Sequence, residues 1–189
     1  MTVKNLLQII SNNFIALQDK ADVIQEIADL WIETIKKGNK IIFCGNGGSA
    51  ADSQHLAAEL MGRYKYDRHP LAAMSLTLDT SSLTAIGNDY GYEQVFSRPL
   101  QGVGKKGDVL VGISTSGNSA NVIKAFEVAK EMGIQTVAFT GNSGGKMIEI
   151  ADITLNVPSD ITNNIQEMHV ASGHIICGIV EDHFFGETR

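Results

Sequence analysis

Cysteine is scarce in this chain. Two thiols, Cys44 and Cys177, in 189 residues are too few for the disulfide framework of a small secreted domain. Both lie in apolar runs, which reads as buried free thiols in a reducing compartment. Proline is scarce as well: Pro70, Pro99 and Pro158 are the three, each at an element boundary, and no Pro-rich linker divides the chain. Positive charge is not in excess. Lys and Arg number 15 against 21 Asp and Glu, for a formal net charge of −6. Such a balance is a poor match to a protein that binds nucleic acid mainly by neutralising phosphates, and it still leaves room for a local basic pocket. No apolar stretch approaches the roughly 20 residues of a membrane span. Nor does a compact apolar segment with a small-residue cleavage site follow Met1–Asn5, as it would in a secretory leader. Internal repeats and low-complexity segments are missing too. These absences describe a soluble, cytoplasmic protein with neither a nucleic-acid nor a membrane partner.

What is present is enough to build a core. Hydrophobic residues make up 43% and charged residues 19%, which excludes global disorder. The length fits one domain over residues 1–189. Leu6, Leu7, Ile10, Phe14 and Leu17 recur at helical spacing, and so do Val23, Ile24, Ile27, Leu30, Trp31 and Ile35. Gly38-Asn39 ends the second helix.

Ile41–Cys44 is then a short, wholly apolar run that stops at glycines, as a strand buried on both faces does. Similar runs recur at Ala72–Leu76, Val109–Ile113, Thr136–Phe139 and Ile153–Val157. Helical stretches separate them: Ser49–Met61, Ser81–Ile86 with Tyr92–Val103, Asn121–Met132 and Gly145–Ile150, and a long helix from about Ile165 to Phe185 closes the chain. The alternation predicts an α/β three-layer sandwich around a five-stranded, mostly parallel sheet, with two extra helices at the N-terminus. The apolar faces of those two helices, within residues 3–37, exceed what one small sheet needs, so they are expected in an oligomer interface.

Ligands of open α/β sheets sit beyond the C-terminal ends of the strands. Two turns there are unusual. After the first strand comes Gly45-Asn46-Gly47-Gly48-Ser49. Its glycines let backbone approach a ligand, and the following helix offers free N–H groups and the positive end of its dipole to an anion. The same residues also serve a tight strand-to-helix turn with Ser49 as N-cap. After the third strand comes Ser114-Thr115-Ser116-Gly117-Asn118-Ser119. Four hydroxyls in six residues exceed the needs of one cap, and hydroxyls with backbone N–H groups can surround a phosphate without Lys or Arg. Taken together, the two loops point to an anionic small molecule. Neither is a Walker loop, since no Gly-Lys-Ser/Thr follows. Gly45, Gly47 and Ala50 meet the looser dinucleotide pattern, which leaves a nicotinamide-dependent oxidoreductase as a rival.

Two helices carry polar residues toward the same end. His55 and Glu59 are four apart and share a helix face; Gln166 and His174 are eight apart on the last helix. Imidazole, carboxylate and amide oxygen together suit a divalent metal such as zinc, and equally a surface ion pair. A carboxylate beside a histidine near a sugar phosphate also suits proton transfer between adjacent carbons. His69 and His183 read as surface residues, while His169 either lines the site or packs.

Gly-Asn-Gly-Gly-Ser (45–49), His-Leu-Ala-Ala-Glu-Leu (55–60), Gly-Arg-Tyr (62–64), Gly-Asn-Asp (87–89), Gly-Ile-Ser-Thr-Ser-Gly-Asn-Ser-Ala-Asn (112–121) and Ile-Gln-Glu-Met-His (165–169), in that order, resemble the phosphoheptose isomerase family of sugar isomerase (SIS) domain proteins over nearly the whole chain. The resemblance implies the SIS fold. It also implies conversion of sedoheptulose 7-phosphate to D-glycero-D-manno-heptose 7-phosphate, the first step towards nucleotide-activated heptose for lipopolysaccharide or capsule. A cytoplasmic homotetramer with sites between subunits and one zinc per subunit follows from it too.

By motif position, His55, Glu59, Gln166 and His174 match zinc ligands, and Glu59 and His174 match the catalytic base and acid. Asn46, Gly47, Gly48, Ser49, Asn88 and Asp89 match substrate contacts. Ser114, Thr115, Ser116 and Ser119 match a phosphate cradle, Arg63 an arginine near the substrate, and Gln166 a substrate contact as well as a ligand. Glu59 thus has two competing roles, because a metal stabilises the ionised carboxylate and weakens it as a base. Ligand in the resting site and base once substrate arrives is the consistent assignment. One departure is Asn163-Asn164, where the family commonly has an arginine before Ile-Gln-Glu; it bears on sugar specificity. A non-catalytic SIS domain that senses sugar phosphates or binds a replication initiator would share the fold but not need the acid–base set. An isomerase for another phosphorylated sugar would need it.

Overall fold

The computed structural model describes residues 2–186. Alternation of apolar side chains along the strands explains its layering. In β1 (Ile41–Gly45), Ile41 and Phe43 enter one hydrophobic cluster while Ile42 and Cys44 enter another. Successive strand residues point to opposite faces, so a strand covered on both sides is apolar throughout. The same division holds in β3 (Val109–Ser114) and β4 (Gln135–Thr140): Val109, Val111, Val137 and Phe139 face the first cluster, Leu110 and Ala138 the second.

On the first face lie α1 (Val3–Leu17), α2 (Ala21–Lys36), α3 (Gly48–Met61) and α8 (Thr162–Phe185). Trp31 of α2 meets Phe43 edge-on there, with ring centroids 5.3 Å apart. The second face carries α4 (Thr80–Tyr90), α5 (Ser97–Val103), α6 (Ala120–Glu131) and the single turn α7 (Met147–Ile150), packed around Phe96, Leu100 and Phe126. With β2 (Ala73–Ser75) and β5 (Ile153–Asn156), the sheet has five strands, all paired parallel, in the order β2-β1-β3-β4-β5.

The expected architecture is therefore the observed one, with local differences. The helix expected over Tyr92–Val103 is a 3-10 turn, Tyr92–Gln94, followed by the shorter α5. Gly91 at φ +90° turns the backbone between α4 and that turn. The helix expected from Gly145 starts at Met147, because Gly144 and Gly145 adopt positive φ and close a loop first. Ser49 is not a cap: Gly47 holds that position and Ser49 is buried in the first turn of α3.

The order of the strands sets the site. α3 leaves β1 toward β2, and α6 leaves β3 toward β4. The loops after β1 and β3 therefore diverge and open a crevice at the sheet's C-terminal edge. On the first face, α1 shows Leu6, Leu7 and Ile15 to solvent. A groove of about 410 Å³ runs between α1, α2 and α8, lined by Phe14, Leu17, Ile24, Ile175 and Ile179 among others. Among the described residues no helix is long and apolar enough to cross a membrane.

Candidate active site

The loop after β1 is shaped by close approach. A Cβ on Gly48 would come within 2.6 Å of Gln166 Nε2, so glycine is what lets the side chain of α8 lie against this turn. The Asn46 side chain is bonded within the protein. Its Nδ2 donates to Asn121 Oδ1 (2.9 Å), and its Oδ1 accepts from Asn121 Nδ2 (2.9 Å) and from the Tyr92 hydroxyl (3.0 Å).

The loop after β3 is the hydroxyl-rich one. Ser114, the last residue of β3, is buried, and its Oγ lies 2.8 Å from Ser119 Oγ and 3.5 Å from Ser116 Oγ. Ser119 is the N-cap of α6, but its side chain makes no capping bond. Val122 N donates to Ser119 O (3.1 Å), while the N–H groups of Ala120 and Asn121 at the start of that 12-residue helix stay available to an anion beside three converging hydroxyls. Thr115 is half-buried and Ser116 exposed. A second loop braces this one: Gly141 N donates to Thr115 O, Met147 N to Gly117 O and Lys146 N to Asn118 Oδ1, each at 3.0 Å. Gly117, at φ +64°, faces Gly144 O so closely that any Cβ would collide with it.

In the second half of α3, His55 Nε2 lies 2.7 Å from His174 Nε2 of α8 and 3.4 Å from Glu59 Oε1. One ligand atom from each of the three residues falls within a 4.8 Å span. Donors around a tetrahedral divalent ion such as zinc, at ~2.0–2.1 Å, stand about 3.3 Å apart; imidazole and carboxylate are suitable donors, and the trio lies close enough together to hold a metal ion. Tyr64 stacks on His174, with centroids 5.8 Å apart and planes 24° from parallel. Asp52 lies one turn before His55. Burial pushes its carboxyl above the ordinary range, opposed by the positive charge of His55 and His174, and its Oδ2 is buried without a partner among the described residues.

Helices α3 and α8 thus bring three of the four expected ligands together. The fourth, Gln166, has its amide against Gly48 instead. Arg63 is exposed just past the end of α3. Asn88 and Asp89 are exposed at the end of α4, where Asn88 Nδ2 donates to Asp89 Oδ1 at 2.8 Å. In the altered segment, Asn163 Nδ2 donates to Asn164 Oδ1 at 2.8 Å. His69 and His183 are exposed, as expected. His169 packs: it is fully buried against Phe139, with Nε2 3.1 Å from Thr140 O. Burial lowers its pKa to about 4, although the bond to Thr140 works the other way.

Cys44 and Cys177 are the free, buried thiols expected of them, and burial pushes the Cys44 thiol up to about 12. Sequence reasoning missed Tyr92, which carried no motif, and Asn121, which closes one of the quoted motifs but reads there as a helix start.

Residues 7–141 match the SIS domain family. A phosphoheptose isomerase of Akkermansia muciniphila is 59% identical over 184 residues, covering 97% of each chain. One of Rhodospirillum rubrum is 53% identical over 180 residues, covering 95% of this chain and 96% of the other. The structure of phosphoheptose isomerase GmhA from Neisseria gonorrhoeae superposes with a TM-score of 0.86 at 43% identity, covering 95% of this chain and 98% of that one. A phosphoheptose isomerase structure from Francisella tularensis gives 0.89 at 34% identity, over 96% and 100% of the two chains. With the SIS domain matched over most of its length and such relatives matched nearly end to end, the chain belongs to the phosphoheptose isomerase family of SIS-domain proteins.

Proposed function

We propose that the protein interconverts sedoheptulose 7-phosphate and D-glycero-D-manno-heptose 7-phosphate, the entry step to nucleotide-activated heptose for lipopolysaccharide or capsule. One observation carries this reading: His55, Glu59 and His174, drawn from two helices, converge on one point in a domain that also holds a hydroxyl-lined anion cradle.

An aldose–ketose shift takes a proton from the carbon beside a carbonyl and returns it to the neighbouring carbon. It needs a base, an acid at the carbonyl oxygen, and stabilisation of the enediolate. Glu59 is the base. His174, held by Tyr64 at its ring face, is the acid. Ser114, Thr115, Ser116, Ser119 and the α6 N-terminus hold the phosphate far from the reacting carbons, which orients the chain. Gly47, Gly48, Ser49, Arg63, Asn88, Asp89 and Gln166 contact the sugar, and Asn46 does so through its backbone. His55, Glu59 and His174 would hold one zinc per subunit, and Gln166 completes the set by leaving Gly48 or from a second copy. Bound there, zinc would supply Lewis-acid stabilisation of the negative charge that develops on the substrate oxygens.

From Gly48 to Glu59, α3 rises about 16 Å, so the glycine loop and Glu59 stand well apart on one helix. We read the working site as shared between subunits of a cytoplasmic homotetramer, assembled through the apolar faces of α1 and α2 and the groove beside α8. A panel of ketose phosphates assayed with and without zinc tests the reading. Selective, zinc-dependent turnover of sedoheptulose 7-phosphate supports it. Binding of sugar phosphates without turnover would favour the non-catalytic SIS alternative.

A further inference from the structure

The loops that face the crevice are joined across it. Asn46 is the first residue after β1, and Asn121 is the second residue of α6, two places beyond Ser119 and 3% exposed. Their amides bond reciprocally, each Nδ2 to the other's Oδ1 at 2.9 Å, and Tyr92 closes a third bond onto Asn46 Oδ1 at 3.0 Å. That oxygen is saturated, because a carbonyl oxygen offers two acceptor sites. With Oδ1 filled and Nδ2 turned to Asn121, Asn46 is a tie between two loops that leave neighbouring strands in opposite directions. No other residue of the loop after β1 has a side-chain bond to the cradle segment among the described residues.

We infer that Asn46, Asn121 and Tyr92 form a positioning device that fixes the glycine loop after β1 relative to the phosphate cradle after β3, and so sets where the sugar lies once its phosphate is seated. The inference rests on the proposed function, in which one ligand engages both loops. The tie acts only on such a ligand. Inorganic phosphate needs the cradle alone, whereas the sugar phosphate needs the cradle and the loop in register. A misplacement of about 1 Å between groups held by separate loops can cost on the order of 10²-fold in rate. Removing either amide removes both reciprocal bonds at once, so the second removal has little left to break.

The experiment is a double-mutant cycle on the full-length oligomer with Asn46→Ala, Asn121→Ala and the pair. It reads kcat/KM for sedoheptulose 7-phosphate and the inhibition constant of inorganic phosphate. Each single variant is expected to lose about 10- to 100-fold in kcat/KM, and the pair no more than the worse single. Inorganic phosphate should inhibit all of them within about twofold of the parent, because the cradle is intact.

Additive losses would overturn the inference, since Asn46 and Asn121 would then act on substrate independently. A parallel loss of phosphate inhibition would overturn it too, by placing Asn121 in the cradle itself. Should the alanine variants fail to fold, Tyr92→Phe removes one bond from an exposed side chain and creates no cavity. It is expected to lower kcat/KM about three- to tenfold at an unchanged melting temperature, and an unchanged kcat/KM would overturn the device. An inactive parent protein would instead refute the proposed function and leave the tie a feature of the fold.

Discussion

Arg68 and Glu181 form a buried ion pair, Nε to Oε1 at 2.9 Å, with side chains 2% and 0% exposed. The guanidinium also donates from Nη2 to Glu59 O (2.8 Å) and from Nη1 to Leu60 O (2.6 Å) and Gly62 O (3.1 Å). The carboxylate accepts from the backbone N–H of Tyr64 (3.2 Å) and Lys65 (2.7 Å). Arg68 thereby satisfies orphan carbonyls at the end of α3, next to Glu59. Glu181 holds the following loop to α8 two turns past His174. The two helices that carry Glu59 and His174 are joined by this pair.

Removing one partner leaves a buried, uncompensated charge, and Arg68→Met should therefore cost about 3–5 kcal/mol. Replacing both, Arg68→Met with Glu181→Leu, should recover part of that loss. Urea unfolding of the three variants measures it. A single variant within the parent's error would show that the pair contributes nothing to stability.

His169 supplies a pH dependence. Burial holds its folded pKa at about 4, against an ordinary value of 6.5. The unfolded chain therefore binds more protons between those limits. The stability from keeping the ring neutral is complete above about pH 6.5 and declines as pH falls towards 4, by up to about 3 kcal/mol. His169→Gln should flatten the stability profile in that window, as urea midpoints at pH 7, 6 and 5 would reveal. Parallel profiles for parent and variant would exclude this role.

The sheet was legible in the sequence for a physical reason. Ile41–Cys44 and Val109–Ile113 are buried on both faces, so every position is apolar and the strands stand out from the amphipathic helices around them. The hydroxyl loop was legible because Ser114, Ser116 and Ser119 exceed what capping requires. Bonds between distant segments were not. Arg68 and Glu181 are 113 positions apart, and nothing local in either segment announces the other. Asn46 matches a substrate-binding motif, yet its amide is taken by Asn121 and Tyr92, a pairing that only the crossing of two strand-end loops creates. Gln166 sits on the expected helix, but spacing along a helix does not say which way a flexible amide turns.

Phosphate affinity should reside in the loop after β3. Ser116→Ala and Ser119→Ala are each expected to raise KM with little change in kcat, since each removes a hydrogen bond to a charged oxygen worth about 1.5–3 kcal/mol. The Ser119 effect should be the larger, because its loss also frees the Ser114 hydroxyl from its 2.8 Å contact. Steady-state kinetics with unchanged KM in both variants would remove the phosphate from this loop.

Metal removal should be reversible and local. Dialysis against a chelator is expected to abolish turnover, and stoichiometric zinc to restore it, while the melting temperature shifts only modestly because the trio lies partly exposed between two helices that pack without it. His55→Ala should lose metal at least tenfold more readily, since it removes one of three clustered donors. Metal analysis by mass spectrometry beside the kinetics reads both. Full activity in demonstrably metal-free protein would leave the trio a purely acid–base site.

The sharpest test falls on Glu59. Glutamine keeps the size of the side chain and one of its oxygens but cannot accept a proton from carbon at neutral pH. Loss of a general base should lower kcat by roughly 10²–10⁴. The fold should survive, because Arg68 holds the backbone carbonyl of residue 59, not its carboxylate. The phosphate contacts lie in the loop after β3, not on α3, so substrate should still raise the variant's melting temperature. His174→Gln should behave alike if it is the acid. If holding zinc is what matters in these residues, both variants should instead lose metal, and added zinc should partly restore turnover. Metal content measured beside kcat separates base from ligand. Turnover near that of the parent by Glu59→Gln, with metal retained, would end the assignment of Glu59 as the base and leave Asp52, the half-buried carboxyl one turn before His55, as the next carboxylate to test.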